Sequence, residues 1–337
     1  MKILIIILAL FGGFERGEAQ TGFTNRDFAD SSRSNWLGTG PRPIRSVIWY
    51  PAGKGGKVDT IRDLTQFSTP LTVFRDAPLP AGKRRYPLIL ISHGSRGNAL
   101  RMSWLAEYLA SKGFIAVAVS HNGTDEEERN TDGMGLSDFC IWERPRDLSA
   151  VLDKMLKDPS FSDKIDTGRI AVAGFSLGGA TAIWVAGAIF DRDRLAKMEP
   201  DIPPMLRDAI KRLVELSSHD PIVQKSLTHR GDSFKDRRIK AVFALAPAIG
   251  QGFERKGLGS ITVPVQIVVG DADLVAPLAR NARYYTENIP TAKPLIILSG
   301  ERGHYLQPDT AHRYPAELEE VGGIAFRFFT EVFAARK

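Results

Sequence analysis

From Tyr86 onwards the chain alternates between short apolar runs and longer amphipathic segments. The apolar runs are typical of strands buried on both faces of a parallel sheet, and they cover residues 87–92, 114–120, 170–173, 241–245, 265–269 and 295–298. Helical periodicity places apolar side chains on one face over residues 100–112, 146–156 and 323–333. Strands that alternate with helices predict an α/β fold, with a mainly parallel central sheet and helices on both faces.

The pattern before Tyr86 differs. Residues 44–50 predict a strand that Pro51 ends, and residues 71–74 predict a second, short edge strand. Residues 21–42 are polar and rich in Gly, Ser and Asn, so a loop is expected there. We therefore predict an N-terminal extension with antiparallel edge strands over residues 20–85, joined to a larger domain over residues 86–337.

A short apolar run, Ile3–Phe11, lies near the N-terminus and follows Lys2. It is too short to span a bilayer, and the triplet Gly17-Glu18-Ala19 has the small-x-small pattern of a cleavage site. Residues 1–19 are therefore predicted to be a signal peptide that directs export to a periplasm or to the medium. An uncleaved membrane anchor is the alternative.

Residues 191–238 interrupt the alternation of strands and helices. They contain closely spaced prolines and a helical patch over residues 205–216. Because the segment is inserted near the edge where ligands are expected to bind, it is predicted to be a helical lid over the site. A surface excursion packed on the core is the alternative.

The apolar run that begins at Ile170 leads into the pattern Gly174-x-Ser176-x-Gly178, followed by a small-residue helix predicted to reach about Phe190. This pattern is typical of a nucleophile elbow, in which a serine lies at the tip of a sharp turn. Side chains two residues on either side would collide, so those positions need glycine. The pattern predicts that Ser176 is a nucleophile, and a glycine-rich turn with an incidental serine is the alternative.

A serine hydroxyl needs a base to become a nucleophile, and the base needs an acid to orient it. The order serine, aspartate, histidine is the one expected after an elbow of this type. Asp273 and His304 follow the last two predicted strands and supply that order. We predict the triad Ser176, Asp273 and His304, with Asp271 and His312 as the alternative acid and base.

Two backbone N–H groups are expected to bind the oxyanion. One belongs to Leu177, directly after the nucleophile, and the other to Ser95, in the loop after the strand that ends at Ser92. His93 is expected to brace that loop. Metal binding by His93 and His121 is the alternative, but no ligand-spaced cluster supports it, so neither a metal nor a cofactor is predicted.

The charge and the cysteine content limit the classes of function and the disulfides that the chain can have. The formal net charge is +6, from 45 basic and 39 acidic residues that are mixed along the chain. The chain therefore lacks the basic block expected of a nucleic-acid-binding protein, and a soluble basic surface is expected. Attraction to an anionic lipid surface or polymer is the alternative, although nothing in the charge pattern indicates it. The single cysteine, Cys140, excludes an intramolecular disulfide, and a structural or surface thiol is expected.

From Tyr86 to the C-terminus the chain resembles the α/β-hydrolase superfamily. Within it, the chain is similar to the predicted dienelactone-hydrolase group that borders the platelet-activating-factor acetylhydrolases. The resemblance rests on residues 91–97, 144–147, 174–179, 270–277 and 303–304. It implies hydrolysis of carboxylic esters through a serine acyl-enzyme. Dienelactone hydrolases carry a cysteine nucleophile where this chain has Ser176, so the resemblance does not imply a lactone substrate.

The expected activity is that of a serine esterase acting on a small-molecule or lipid ester. A phospholipid acetylhydrolase, a lipase, a polyester hydrolase and a peptidase of the same fold are related alternatives. Acyl transfer differs only in whether water or an alcohol accepts the acyl group. A catalytically silent ligand-binding protein on the same fold is the alternative from another class.

Overall fold

The structure is a computed structural model that describes residues 20–61, 70–82, 84–124, 140–191, 211, 214–308 and 315–335. The predicted signal peptide, residues 1–19, lies outside the described residues. So do His312 and most of the helical patch expected over residues 205–216.

The described residues form one sheet of ten strands. The strands are β1 (Thr21–Ser34), β2 (Pro41–Pro51), β3 (Lys57–Ile61), β4 (Leu71–Arg75), β5 (Tyr86–Ser92), β6 (Ile115–Val119), β7 (Ile165–Phe175), β8 (Val242–Leu245), β9 (Val265–Gly270) and β10 (Ile296–Leu298). Their order across the sheet is β10-β9-β8-β7-β5-β6-β2-β1-β4-β3.

The half of the sheet from β10 to β6 is parallel throughout. Every residue of β5, β6, β8 and β9 is buried, as expected for strands that are covered on both faces. The predicted mainly parallel sheet is therefore confirmed. Its strands point their carboxyl ends to one edge, where β5, β7 and β9 lead into the loops that carry the candidate site.

The other half of the sheet is the antiparallel edge that the sequence predicts. β2 pairs antiparallel with both β6 and β1, and β3 pairs antiparallel with β4. A parallel pairing of β1 with β4 joins the two hairpins. The N-terminal residues thus extend the central sheet instead of forming a sheet of their own.

The expectation of a loop over residues 21–42 is wrong. β1 occupies most of that segment and pairs with β2 from Thr21 opposite Pro51 to Asp30 opposite Arg42. Its polar side chains are compatible with a strand because they find partners elsewhere in the fold. The guanidinium of Arg33, for example, bonds the carboxylate of Glu143 at 2.9 Å.

Helices cover the sheet. They include α1 (Ser103–Ser111), α2 (Glu143–Met155), α3 (Leu177–Val185), α4 (Pro221–Leu227), α5 (Arg255–Gly259), α6 (Ala282–Asn288) and α7 (Pro315–Ala334). α1 packs against α7, and α2 packs against α3. No helix within the described ranges combines the length and the apolar character needed to cross a bilayer.

Two helices differ from the sequence prediction by five residues or more at one end. α3 ends at Val185 instead of continuing to about Phe190, because Gly187 has a φ of 126° and turns the chain out of the helix. α7 begins at Pro315, ahead of the expected residue 323. Its early turns carry acidic side chains at Glu317, Glu319 and Glu320, which obscured the apolar stripe.

The described part of the 191–238 insertion is anchored to the start of α2. Asp220 caps α4 by accepting the N–H groups of Ile222 and Val223. Ser226 in the same helix donates to the carboxylate of Glu143 at 2.6 Å. Residues 192–210, which would form the remainder of the predicted lid, lie outside the described residues, so the lid stays a prediction.

Candidate active site

Ser176 lies at a sharp turn between β7 and α3. Its backbone has a φ of 54° and a ψ of −119°, outside the regions that L-residues favour. A Cβ added to Gly174 would overlap the backbone of Gly178, and a Cβ added to Gly178 would overlap the backbone of Ser92. Both glycines of the predicted elbow are therefore required by close backbone approach.

The structure brings the three predicted triad residues together. The Nε2 atom of His304 lies 2.8 Å from the Oγ atom of Ser176, and its Nδ1 atom lies 2.8 Å from the Oδ2 atom of Asp273. All three side chains are nearly buried, and Ser176 retains the largest exposed fraction, 8%. The arrangement can move a proton from the serine hydroxyl to the imidazole.

Asp273 is oriented by the backbone that follows it. Its Oδ1 atom accepts the N–H groups of Val275 at 3.0 Å and Ala276 at 2.8 Å, which leaves Oδ2 to accept from His304. Because a carboxylate only accepts, His304 must carry its proton on Nδ1 and present Nε2 as an acceptor to the Ser176 hydroxyl.

Asp271, the alternative acid, is engaged elsewhere. Its carboxylate accepts the backbone N–H groups of Gly300 at 3.1 Å and Arg302 at 2.8 Å. These two bonds hold the start of the loop that leads to His304. The structure thus places Asp271 in the support of that loop, as a turn residue, and Asp273 on the histidine.

The two residues predicted for the oxyanion hole lie in the elbow and in the loop after β5. Leu177 is the first residue of α3, so its N–H group is at the N-terminal end of the helix. Ser95 lies in a turn after β5, next to Gly94, whose position packs against Phe175 and Ser176. The loop after β5 therefore approaches the nucleophile at Gly94, one residue before Ser95.

His93 lies beneath the β5 loop. It is fully buried, and its Nδ1 atom lies 2.6 Å from the carbonyl oxygen of Gly94. Its ring also faces the position of Gly97, at the far end of the loop. Burial, and after it the charge of Arg144, lowers the pKa of His93 well below its ordinary value, so the ring is neutral.

A second Ser-His-Asp chain, which sequence reasoning missed, lies behind the site. His121 Nε2 is 2.9 Å from Ser92 Oγ, and His121 Nδ1 is 2.9 Å from Asp147 Oδ2. All three side chains are fully buried. Burial, with the charge of Arg144, lowers the pKa of His121 to about 3, so this imidazole does not accept a proton near neutral pH.

Two arginines surround Asp147 in this buried cluster. Burial opposes its ionisation, but the charges of Arg42 and Arg33, together with the hydrogen bonds from His121 and Arg42, outweigh burial and hold the pKa of Asp147 well below its ordinary value. Arg42 donates to both oxygens of Asp147, at 2.8 and 3.0 Å. The sequence signal for this cluster is the Arg-Pro-Arg-Asp run over residues 144–147, which opens α2.

Two further histidines, His219 and His229, lie in the described part of the 191–238 insertion and take no part in the hydrogen-bond chain of the triad. His219 is exposed, and His229 is half-buried and paired with Asp232 at 2.8 Å. In the part of the chain that the structure describes, no group of three or more His, Cys, Asp or Glu side chains is arranged to hold a metal ion. Cys140 is buried.

Comparisons with known proteins match this chain to one family model and to several cutinases. The family model described as Chlorophyllase matches residues 52–197. Among curated proteins, Cutinase est1 of Thermobifida alba is 25% identical over 236 residues, which are 69% of this chain and 58% of that protein. Cutinase 2 of Thermobifida cellulosilytica is 26% identical over 236 residues, and 66% of its length is covered. The chain thus spans less than two thirds of these cutinases.

A more distant relative and two solved structures extend the comparison. The bis(hydroxyethyl) terephthalate hydrolase of Streptomyces coelicolor is 21% identical over 277 residues, 81% of this chain and 67% of that protein. A ferulic acid esterase from Streptomyces cinnamoneus superimposes with a TM-score of 0.55 at 17% identity, covering 94% of this chain and 90% of the other. A dienelactone hydrolase from Anabaena variabilis superimposes with a TM-score of 0.51 at 15% identity, covering 91% of this chain and 98% of the other. These structures share the fold.

Proposed function

We propose that this chain, which has an α/β-hydrolase fold, is a serine hydrolase that cleaves carboxylic esters through an acyl-enzyme. The observation that carries the proposal is the hydrogen-bond chain from Ser176 through His304 to Asp273, built on a positive-φ elbow. The names of the relatives, which are cutinases, a terephthalate ester hydrolase and a ferulic acid esterase, support the same reaction.

Acylation begins when the Nε2 atom of His304 takes the hydroxyl proton of Ser176. The Oγ atom forms a bond to the ester carbonyl carbon, and the carbonyl π electrons move onto the oxygen. Asp273 keeps its negative charge throughout, which holds the imidazole in the required tautomer and stabilises the imidazolium. Burial of the dyad strengthens this stabilisation because water does not screen it.

The N–H groups of Leu177 and Ser95 receive the oxyanion in this proposal. The N-terminal end of α3 adds its partial positive charge at the same point. When the tetrahedral intermediate collapses, the bond to the alkoxy group breaks and His304 donates its proton to the leaving alcohol. Water, deprotonated by His304, then attacks the acyl-enzyme and releases the acid and Ser176.

The test is hydrolysis of p-nitrophenyl esters from acetyl to long acyl chains, with the wild type beside Ser176→Ala. We expect the wild type to turn over and the variant to lose at least about 10³-fold in kcat. The variant should keep the melting temperature of the wild type, because a hydroxyl is removed without disturbing packing. Full activity in Ser176→Ala would reject the assignment of the nucleophile.

A polyester or lipid ester is the second candidate substrate class. Next to Asp273, the side chains of Leu274 and Val275 are 89% and 72% exposed, which places apolar surface beside the candidate site. Activity that rises with acyl length would favour this class, and activity confined to short chains would favour a carboxylesterase or acetylhydrolase. If no ester is cleaved and a serine-directed phosphonate does not react, the chain is a silent binding protein.

We also propose that the protein is exported and that cleavage follows Ala19. The apolar run Ile3–Phe11 and the small-x-small triplet before the cut support this proposal. N-terminal sequencing of the protein from culture medium or periplasm should begin at Gln20. Recovery of Met1 in a membrane fraction would instead indicate an uncleaved anchor.

A further inference from the structure

Arg144 joins two segments that meet at the candidate site. The residue lies in the first turn of α2 and is 1% exposed. Its Nη2 atom donates to the carbonyl oxygen of His93 and, at 3.2 Å, to the hydroxyl of Ser92. Its Nε atom donates to the hydroxyl of Thr181 at 3.2 Å. One planar cation thus contacts both the end of β5 and helix α3.

Both contacts lead directly to a proposed oxyanion donor. The carbonyl group of His93 immediately precedes Gly94 and Ser95, so fixing this carbonyl fixes the start of the β5 loop. On the other side, the hydroxyl of Thr181 donates to the carbonyl oxygen of Leu177 at 2.8 Å. Arg144 is therefore linked by hydrogen bonds to the backbone on each side of the space where the oxyanion would sit.

We propose that Arg144 is a positioning residue that sets the spacing between the backbone N–H groups of Ser95 and Leu177. The inference rests on the proposed function, because the spacing matters only if these two groups bind an oxyanion. Two donors stabilise a developing charge well only when they are held at the right separation before the reaction starts. Arg144 supplies that rigidity from inside the core, without contacting the substrate.

The buried Ser92-His121-Asp147 chain orients the acceptors of Arg144. Since Asp147 is a carboxylate, His121 donates from Nδ1 and accepts the hydroxyl proton of Ser92 at Nε2. The lone pairs of Ser92 are then left for the guanidinium of Arg144. This buried hydrogen-bond chain thus has the bonding of a catalytic triad, but its effect is to hold Ser92 as an acceptor for the guanidinium of Arg144.

A lysine is not equivalent at position 144. The guanidinium of arginine is planar, stays charged at any pH the protein meets, and presents donors in a fixed fork to several acceptors. A lysine ammonium keeps the charge but cannot span both the His93 carbonyl and the Thr181 hydroxyl in that geometry. Arg144→Lys therefore removes the bridge while leaving a cation in the core.

Arg42→Lys is the matched control. Arg42 is also nearly fully buried, at 2%, and belongs to the same cluster, where it pairs with Asp147 and lies over the ring of Trp36. Asp147 keeps a second cation in this variant, because Arg33 lies 2.8 Å from it. Both variants exchange a buried arginine for lysine, so a loss caused only by weaker packing should affect them alike.

The experiment compares kcat, KM, melting temperature and the inhibition constant of a trifluoromethyl ketone whose acyl chain matches the best p-nitrophenyl ester. The hydroxyl of Ser176 adds to the ketone and gives a tetrahedral adduct whose oxygen is an oxyanion. The affinity of the ketone therefore reports on the oxyanion hole. We expect Arg144→Lys to lower kcat by about 10- to 100-fold and to weaken the ketone by a similar factor, with KM within about threefold of wild type. Arg42→Lys should change kcat by less than about threefold.

Equal losses of kcat in the two variants, or a ketone affinity that does not change in Arg144→Lys, would overturn the proposal. If Arg144→Lys does not fold, Thr181→Val provides the second test, because it cuts the link between Arg144 and α3 with little change in volume. We expect a loss of about 3- to 10-fold in kcat there, and an unchanged kcat would contradict the proposal.

The wild type in the same assay separates this proposal from the proposed function. A wild type that cleaves no ester would overturn both, because no oxyanion would then need to be bound. An active wild type beside an equally active Arg144→Lys would overturn only the role of Arg144.

Discussion

His121 Nδ1 lies 2.9 Å from the carboxylate of Asp147, nearly the separation of 2.8 Å at which His304 Nδ1 lies from Asp273. The two histidine–aspartate pairs share their bonding and differ in their surroundings. The His121 pair is fully buried beside three arginines, and its imidazole has a pKa of about 3. The His304 pair contacts Ser176 at the edge of the sheet. The two pairs therefore differ in burial and in nearby charge, which suit the His121 pair to a structural role and the His304 pair to catalysis.

The buried histidines predict that the protein is sensitive to acid. His93 and His121 are neutral in the folded protein, but in the unfolded chain each binds a proton below its ordinary pKa of 6.5. Because the unfolded state then holds more protons, the free energy of unfolding falls as the pH drops from 6.5 toward about 3. Each histidine should contribute a slope approaching about 1.4 kcal/mol per pH unit.

Urea unfolding at a series of pH values from neutral to acid measures this slope. His121→Asn can still donate to Asp147 but does not titrate, so the slope in this variant should be shallower by about one proton. Protonation of Asp147 in the unfolded chain lowers the free energy of unfolding mainly below its ordinary pKa of 3.8. The two slopes are therefore compared above that pH. A variant with the slope of the wild type would contradict this account of His121.

The choice of Asp273 over Asp271 predicts opposite results for two matched variants. Asp273→Asn removes the charge that stabilises the His304 imidazolium, so kcat should fall by about 10³- to 10⁴-fold. Asp271→Asn weakens two backbone hydrogen bonds and should cost about 1 kcal/mol of stability while kcat stays within about threefold. Steady-state kinetics of the two variants with a short p-nitrophenyl ester decides which aspartate orients His304. The reverse pattern would assign the acid to Asp271.

Close backbone approach at the elbow predicts that Gly178 tolerates no side chain. A Cβ there would overlap the backbone of Ser92 and His93, so Gly178→Ala should destabilise the fold by about 3 kcal/mol or more. Gly259→Ala is the control, because Gly259 lies in α5 with no atom within 4 Å of an added Cβ. Its stability should be unchanged or higher by up to about 1 kcal/mol. Urea midpoints that match in the two variants would contradict the packing argument.

The apolar surface beside Asp273 predicts a dependence on the physical state of the substrate. The double substitution Leu274→Asn and Val275→Asn should lower the hydrolysis of a polyester film by about 3- to 10-fold and leave p-nitrophenyl acetate within about twofold. Val58→Asn, on β3 at the far edge of the sheet, removes a side chain that is 61% exposed and should alter neither rate. Equal effects on film and soluble ester would argue against a docking role for this surface.

The parallel half of the sheet and the juxtaposition of Ser176, Asp273 and His304 could be predicted from the sequence. Both depend on local patterns: buried parallel strands are continuous apolar runs, and their carboxyl ends meet at one edge. The order of the three residues along the chain then selects the partners. Neither prediction requires knowledge of tertiary contacts between residues that are far apart in the sequence.

The polar strand β1 and the buried cluster at Arg144 were not predictable in this way. β1 has few apolar positions, and its stability depends on partners such as Glu143, which lies 110 positions from Arg33 along the chain. The Arg144 contacts likewise join residues 37 to 52 positions apart. A charged side chain normally indicates a surface, and only the fold shows that these charges neutralise and bond one another in the core.

Fluorophosphonate labelling followed by peptide mapping tests the central claim most directly. The probe forms a covalent bond with an activated serine and releases fluoride, so it reports the nucleophile without knowledge of the substrate. We predict a single label on Ser176 in the wild type and none in Ser176→Ala or His304→Ala. A label on Ser92, or a wild type that does not react, would contradict the assignment of Ser176, His304 and Asp273 as the catalytic triad.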